Sequence, residues 1–151
     1  MRFHLIDRID DWVGDTGARA RKLTSVTEDY WLRDDSGRLT MPSTLVLEAV
    51  CQTASWLVLL SSGLHRRATL LGMDEVVCHG DVVPGDVLHL EVSVRSAADT
   101  AAVIDGAARV DRRPVLTASG ILCGISDADA LEHAEAIERM ARLLRGRELV
   151  A

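Results

Sequence analysis

The chain predicts an α+β fold in which an antiparallel sheet wraps around one long central helix, with a further helix at the C-terminus. Three observations carry this. Residues 42–60 form an apolar run opened by Pro42 and closed by Ser61, Ser62 and Gly63. Residues 87–95 alternate strictly, with Leu88, Leu90, Val92 and Val94 on one face and His89, Glu91, Ser93 and Arg95 on the other. Residues 100–125 then carry two more extended segments about a turn at Asp111-Arg112-Arg113-Pro114. Short strands, one helix and several long antiparallel strands in that order bury their apolar faces by curling the sheet over the helix.

Taken in order, residues 3–9 alternate imperfectly, with Phe3, Leu5, Asp7 and Ile9 against His4, Ile6 and Arg8, and read as a first strand. A turn at residues 14–17 leads to a second extended stretch over 18–26. Residues 27–40 are too charged for a core, with Glu28, Asp29, Arg33, Asp34, Asp35 and Arg38 around Ser36-Gly37, and form a loop. The helix starts near Pro42, whose missing N–H falls among the unbonded first-turn donors, with Ser43 or Thr44 as cap. It runs about 18 to 20 residues, roughly 30 Å at 1.5 Å per residue. In the 100–110 strand Ala102, Ile104, Ala108 and Val110 oppose Val103, Asp105, Ala107 and Arg109, and the last strand runs over 115–125. Residues 129–145 space Ala134, Ile137, Met140 or Ala141, and Leu144 helically, acids early and arginines late, as the helix dipole favours. The chain divides into a main domain over 1–126 and a C-terminal helical extension over 127–151.

Composition narrows the function. At 151 residues one domain with a full core is expected. A net charge of -6 and only five aromatic residues argue against a nucleic-acid surface or a base-stacking platform. Three cysteines, Cys51, Cys78 and Cys123, sit in apolar stretches and read as reduced, buried thiols of a cytoplasmic protein. No uninterrupted apolar stretch of signal-peptide length opens the chain, and Glu48, Gln52 and Ser55 interrupt the one run long enough to suggest a membrane span. No membrane partner is expected.

Glu48 is the residue that asks for an explanation. An unpartnered buried carboxylate costs several kcal/mol, roughly, so Glu48 must be exposed, hydrogen-bonded or held for chemistry. Gln52 and Ser55 at i+4 and i+7 extend it into a thin polar stripe along an apolar helix, a stripe that could face a tunnel.

Four patches in this order resemble the hot-dog-fold β-hydroxyacyl-acyl-carrier-protein dehydratases of fatty-acid and polyketide synthesis. FHLIDRI at residues 3–9 is similar to the family's LLVDRV strand. Met41-Pro42, Glu48-Ala49 and Gln52 match its MPG-x4-EA-x2-Q helix. Leu71-Gly72-Met73-Asp74 matches an AGID-like strand, and residues 82–86 match VVPGD. The resemblance implies the hot-dog fold and a dimer whose acyl tunnels are built from both subunits. It implies that a loop histidine of one subunit takes the α-proton of a 3-hydroxyacyl thioester while the helix acid of the other protonates the departing hydroxyl. Glu48 is then the acid, and the backbone N–H of Ser43, where the family has glycine, polarises the thioester carbonyl. Met41, Pro42, Gln52 and Gly72 complete the implied substrate-binding set.

The loop departs from the family pattern. Counting back from Met41, the family's G-H-F-P positions fall on Arg33, Asp34, Asp35 and Ser36, so Asp34 replaces the histidine, and no histidine lies between His4 and His65. An aspartate near its reference pKa of ~3.9 accepts a proton far less readily than an imidazole near ~6.5. Asp34 is thus either a stand-in catalytic group or a solvated turn acid, and His79 either a replacement base or a structural strand residue. The expected function is a dehydratase-like subunit, paired with a histidine-bearing homologue that supplies the base. The alternatives are an acyl thioesterase using Glu48 or Asp34, and a non-catalytic acyl-binding or scaffold subunit. No metal or cofactor is expected. The expected partners are an acyl carrier protein bearing a phosphopantetheine-linked acyl chain, with Arg66, Arg67, Arg112 and Arg113 as docking or simply solvated charges, and a homologous hot-dog subunit.

Overall fold

The computed structural model describes residues 3–130 and 132–146. Five strands and their helix form the first half: β1 (Arg8–Val13), β2 (Gly17–Leu23), β3 (Leu32–Arg33), β4 (Leu39–Thr40), α1 (Ser43–Ser61) and β5 (Arg66–Gly72). There follow β6 (Glu75–Cys78), β7 (Val87–Ala97), β8 (Ala101–Val110), β9 (Arg113–Asp127), a 3-10 turn over Ala128–Ala130 and α2 (Ala134–Arg145). The main sheet is antiparallel in the order β1-β2-β7-β8-β9-β5, with β6 also paired to β9. It curls around α1, and the inward residues Leu88, Leu90, Val92, Ile104, Ala108 and Ile121 meet Val46, Ala49, Val50, Ala54 and Leu57 of the helix. This is the hot-dog arrangement, with α1 as its core. By length and composition α1 would pass for a membrane span, but half of that segment is buried inside the fold.

Helix and sheet approach closely at Gly106. It takes an inward position on β8 between Ile104 and Ala108, where a Cβ would stand 2.3 Å from Val50 Cγ1. The absent side chain is what lets α1 lie so near the sheet.

Several boundaries differ from the sequence expectation, each for a local reason. The first strand begins at Arg8 rather than residue 3, because the backbone of Phe3 and Leu5 bonds to the side chain of Gln52 instead of a neighbouring strand. β2 stops at Leu23, where Thr24 turns to donate its hydroxyl to the carbonyls of Val83 and Asp86. Within the expected loop, β3 and β4 pair as a short hairpin. Asp111 adopts a left-handed φ of 53°, so Asp111 and Arg112 suffice for the turn and β9 starts early, at Arg113. Pro114 lies on β9 beside a register shift, where a strand tolerates a missing donor. β5 ends at Gly72, leaving Met73 and Asp74 in the crossing to β6 rather than in a strand.

The helix cap is also different. Pro42 holds the cap position and no side chain closes the first turn, so neither Ser43 nor Thr44 plays that part. Cys123 is buried and Cys51 half-buried as expected, but Cys78 is exposed. Its strand β6 pairs with β9 alone, and all four of its residues face solvent.

The connection from β2 to β3 is ordered by one buried cation. Lys22, only 4% exposed, donates to Glu28 at 2.7 Å and to the Leu23 carbonyl, and lies over the Tyr30 ring. Tyr30 donates to the other Glu28 oxygen. Burial works against the Glu28 carboxylate, but the hydrogen bonds from Lys22, Tyr30 and the Ser25 amide outweigh it and lower its pKa. Tyr30 is raised by burial and by the Glu28 charge.

α2 is shorter than the expected segment but uses the expected face. Ile137, Ala141 and Leu144 are buried and join the main core, and Arg145 lies 6.0 Å from the centre of the Trp12 ring. Glu135 sits in its first turn and Arg142 and Arg145 in its last.

Candidate active site

The polar stripe on α1 is real. Glu48 is exposed, and Gln52, one turn on, donates from Nε2 to Glu48 Oε1 at 2.9 Å. The same amide is used in full. Its Oε1 accepts from the Leu5 N–H at 2.9 Å and its Nε2 also donates to the Phe3 carbonyl at 3.0 Å. One side chain therefore fixes the Glu48 carboxylate and binds the N-terminal segment across the helix. Glu48 Oε2 has no protein hydrogen-bond partner among the described residues, which leaves it available to a ligand.

Glu48, Gln52 and Ser55 form a ridge between two cavities. The first, about 170 Å³, lies toward β5 and β9 and is walled by Cys51, Ala68, Leu70, Ile121 and Cys123. The second, about 160 Å³, lies toward the N-terminal segment and α2, with Phe3, His4, Trp56, Ile137 and Met140 in its wall. Arg67 lines both, and its guanidinium is ion-paired to Glu132, which also lines the second. The two thiols of the first cavity are not nucleophiles at neutral pH. Burial, with added repulsion from Glu48 and Cys123, pushes Cys51 up to about 11, and burial raises Cys123. Among the described residues no group of His, Cys, Asp and Glu is placed to hold a metal.

At the start of α1, Leu45 and Val46 donate to the Pro42 carbonyl, whereas Ser43 and Thr44 belong to the first turn, whose amides have no partner within the helix. Ser43 is exposed, so its N–H can meet an incoming carbonyl. Met41 is buried and donates its N–H to the Val82 carbonyl, pinning the helix entrance to the turn before β7. Pro42 is half-buried beside it. Gly72 lies at the end of β5 and in neither cavity.

Asp34 lies elsewhere. It opens the β3–β4 turn, where its Oδ1 accepts from the Ser36 N–H, the Ser36 hydroxyl at 2.6 Å and the Arg38 N–H. The Ser36 hydroxyl and then the Arg38 amide lower its pKa, and it is fully exposed. Neither Glu48 cavity includes it. His79 is bonded to the Thr117 hydroxyl on the outer face of β6 and β9 and also stays out of both cavities. Arg66 is tied to the Asp99 carbonyl and Arg113 to the Asp81 carbonyl, while Arg112 projects from the turn.

Sequence reasoning did not foresee two groups in the site. The Arg67–Glu132 pair joins residues 65 positions apart and has no local signature. His4 was legible in principle, since it occupies a position that is leucine in the LLVDRV pattern.

Comparisons with known proteins bear on the family and the fold. A model of the FabA-like domain matches residues 1–119. The 3-hydroxyacyl-[acyl-carrier-protein] dehydratase FabZ of Rhizorhabdus wittichii is 31% identical over 109 residues, covering 70% of this chain and 69% of the relative. FabZ of Klebsiella pneumoniae is 32% identical over 127 residues, covering 82% and 83%. Two solved structures share the fold. A hypothetical thioesterase with coenzyme A from Streptococcus pneumoniae has a TM-score of 0.60 at 16% identity over 80% of this chain and 85% of its own. The dehydratase heterocomplex ApeI:P from Xenorhabdus doucetiae has a TM-score of 0.61 at 12% identity, covering 91% and 88%. With Glu48, Gln52 and the open first turn of α1 in place, the chain belongs to the FabA-like, hot-dog dehydratase family.

Proposed function

We propose that this chain is a dehydratase-type subunit acting on 3-hydroxyacyl thioesters of an acyl carrier protein, in fatty-acid or polyketide synthesis and in a cytoplasmic setting. Glu48 is the proton donor to the departing hydroxyl. One observation carries the reading: a FabA-like chain keeps the helix acid, oriented by Gln52, at the junction of two cavities near a helix start with unbonded amides. The Ser43 N–H polarises the thioester carbonyl, and Met41 and Pro42, which like Ser43 line neither cavity, fix the start of the helix that presents it. Gly72, outside both cavities, bears on substrate only by ending β5 where the sheet edge is formed.

The base comes from outside the β3–β4 turn, in the first place from the loop histidine of a homologous subunit paired with this chain. Asp34 holds its turn as an anion at the position of that histidine. The pairing surface is the β5–β6 end of the sheet, where Leu70, Leu71 at 64% exposure, Val76 and Val77 on the edge strands and Leu122 on adjoining β9 are exposed apolar side chains near the first cavity. A similar fold does occur in a heterocomplex. The test is dehydration of a 3-hydroxyacyl-carrier-protein by this chain with a histidine-bearing homologue, read as enoyl product, for the parent and for Glu48→Gln. Turnover abolished by the substitution supports the reading, and no turnover and no complex from the mixture overturns it.

A thioesterase is the second reading, favoured by the free, exposed Oε2 of Glu48 together with a turn that lacks histidine. Release of free thiol from acyl-coenzyme A, abolished by Glu48→Gln, distinguishes it. In a purely scaffolding subunit, Glu48→Gln leaves synthesis by the complex intact while deletion of the chain does not.

A further inference from the structure

We propose that His4 is a base of this chain's own Glu48 cavity, so that the chain dehydrates 3-hydroxyacyl thioesters without a borrowed histidine. The inference rests on the reading of Glu48 as proton donor and adds a second source for its partner.

The geometry is specific to the N-terminal segment. Leu5 is buried, while His4 beside it is exposed and lines the 160 Å³ cavity together with Glu48. The residues on either side of His4 are both bonded to Gln52, through the Phe3 carbonyl and the Leu5 N–H. The side chain that orients Glu48 thus also anchors the backbone on both sides of the imidazole, and the two titratable groups share one fixed frame. The His4 ring has no protein hydrogen-bond partner among the described residues, so both nitrogens are open to substrate. The apolar wall from Trp56, Leu59, Ile137 and Met140 gives an acyl chain a place to lie while its polar end faces His4 and Glu48.

Asp34 and His79, the other candidates, are each engaged in bonds outside this cavity. Of the other side chains in its wall, Arg67 is permanently cationic and Glu132 is paired to it, so the imidazole is the base that faces substrate beside Glu48.

The step balances within these groups. A neutral His4 nitrogen takes the proton from C2 of the 3-hydroxyacyl thioester, and the C2–H electron pair becomes the C2–C3 double bond. The C3–O bond breaks, and the hydroxyl takes the Glu48 proton and departs as water. His4 is left as imidazolium and Glu48 as carboxylate, and a proton passed back through solvent resets both.

The experiment uses the full-length chain alone with a 3-hydroxybutyryl-pantetheine thioester, reading the ultraviolet absorbance of the enoyl product. Turnover by the chain alone is expected. His4→Gln should lower kcat by about 10²–10⁴-fold, the usual worth of a positioned base, with an unchanged unfolding midpoint. It should also remove the ascending limb of the pH–rate profile. Added imidazole should restore rate to His4→Gly but not to Glu48→Gln, a rescue that a merely structural histidine would not show. A chain active alone with His4→Gln unaffected overturns the proposal. A chain inactive alone but active with a histidine-bearing homologue overturns it too, while leaving the function of Glu48 standing. Inactivity in both settings overturns the dehydratase reading itself.

Discussion

Replacing Gly106 with alanine should destabilise the protein and displace its acid. The new Cβ would stand 2.3 Å from Val50 Cγ1. Carbon atoms in contact rest at about 3.5–4.0 Å, so roughly 1.2–1.7 Å must be found. Val50 is fully buried and stiff about χ1, while Val92 Cγ1 at 3.4 Å and the Glu91 carbonyl at 3.6 Å close the opposite side. The helix itself therefore has to shift. Overpacking of this kind costs about 1–3 kcal/mol, from which roughly 0.5–1 kcal/mol is recovered because alanine restricts the unfolded chain. The net loss is thus up to about 2.5 kcal/mol, and at roughly 2–4 °C per kcal/mol for a chain of this size Tm should fall by up to about 10 °C. Urea unfolding at fixed protein concentration gives the same quantity directly. Val50 lies two residues beyond Glu48, so Gly106→Ala should also slow any Glu48-dependent reaction. Removing the clashing methyl in Gly106→Ala/Val50→Ala should restore part of both losses, with a coupling of about 1–3 kcal/mol. A Gly106→Ala protein as stable as the parent, or a double variant whose losses simply add, would refute this account of how helix and sheet fit.

Gln52→Leu keeps the volume but removes every bond of the amide. It should cost about 2–3 kcal/mol, chiefly by leaving the Leu5 N–H unsatisfied. Hydrogen exchange at that amide should accelerate far more than at the inner strands, and equal protection in parent and variant would contradict it. Glu28 has a folded pKa below its unfolded value, so its stabilising effect is complete above the unfolded carboxyl pKa of about 4.3 and is lost as pH falls through the folded value. Glu28→Gln should thus lower stability at pH 7 and flatten the acid limb of stability against pH; parallel limbs would be the contrary result. Thiol labelling timed by mass spectrometry should modify exposed Cys78 first, with Cys51, raised to about 11, and buried Cys123 following slowly.

Much of the fold was legible because its signals are local. Strict alternation over residues 87–95 set β7, and the run opened by Pro42 set α1 to within a residue. The Glu48–Gln52 contact followed from helical spacing alone, since residues four apart share a face. What the sequence hid is what depends on distant partners. Phe3 and Leu5 looked like strand residues, yet their backbone bonds are made by a side chain 47 positions away from Leu5. The strand pattern over 3–9 misreported pairing and, in part, burial: Leu5 and Ile9 are buried as expected, but Phe3 on their face is exposed and Ile6 on the other face is buried. Cys78 carried an apolar context in sequence and an open face in the fold, because nothing in a four-residue stretch tells how many neighbours its strand will have.

Asp34 shows why restoring the family's histidine by one substitution should fail. Its Oδ1 takes three hydrogen bonds that close the β3–β4 turn, two of them from the Ser36 N–H and the Arg38 N–H. At a position as open as this one these bonds do little for global stability, but they set the local shape of the turn. An imidazole cannot receive all three from the same place, so Asp34→His gains a base only by loosening the turn that would have to aim it. The β3–β4 turn is closed around the carboxylate of Asp34. Asp34→His should therefore leave the chain acting alone with no more than a few-fold gain in dehydration, while protease cleavage within residues 34–38 becomes faster. A gain of a hundredfold with the turn intact would refute this, and would mean that the loop has the geometry to aim a histidine.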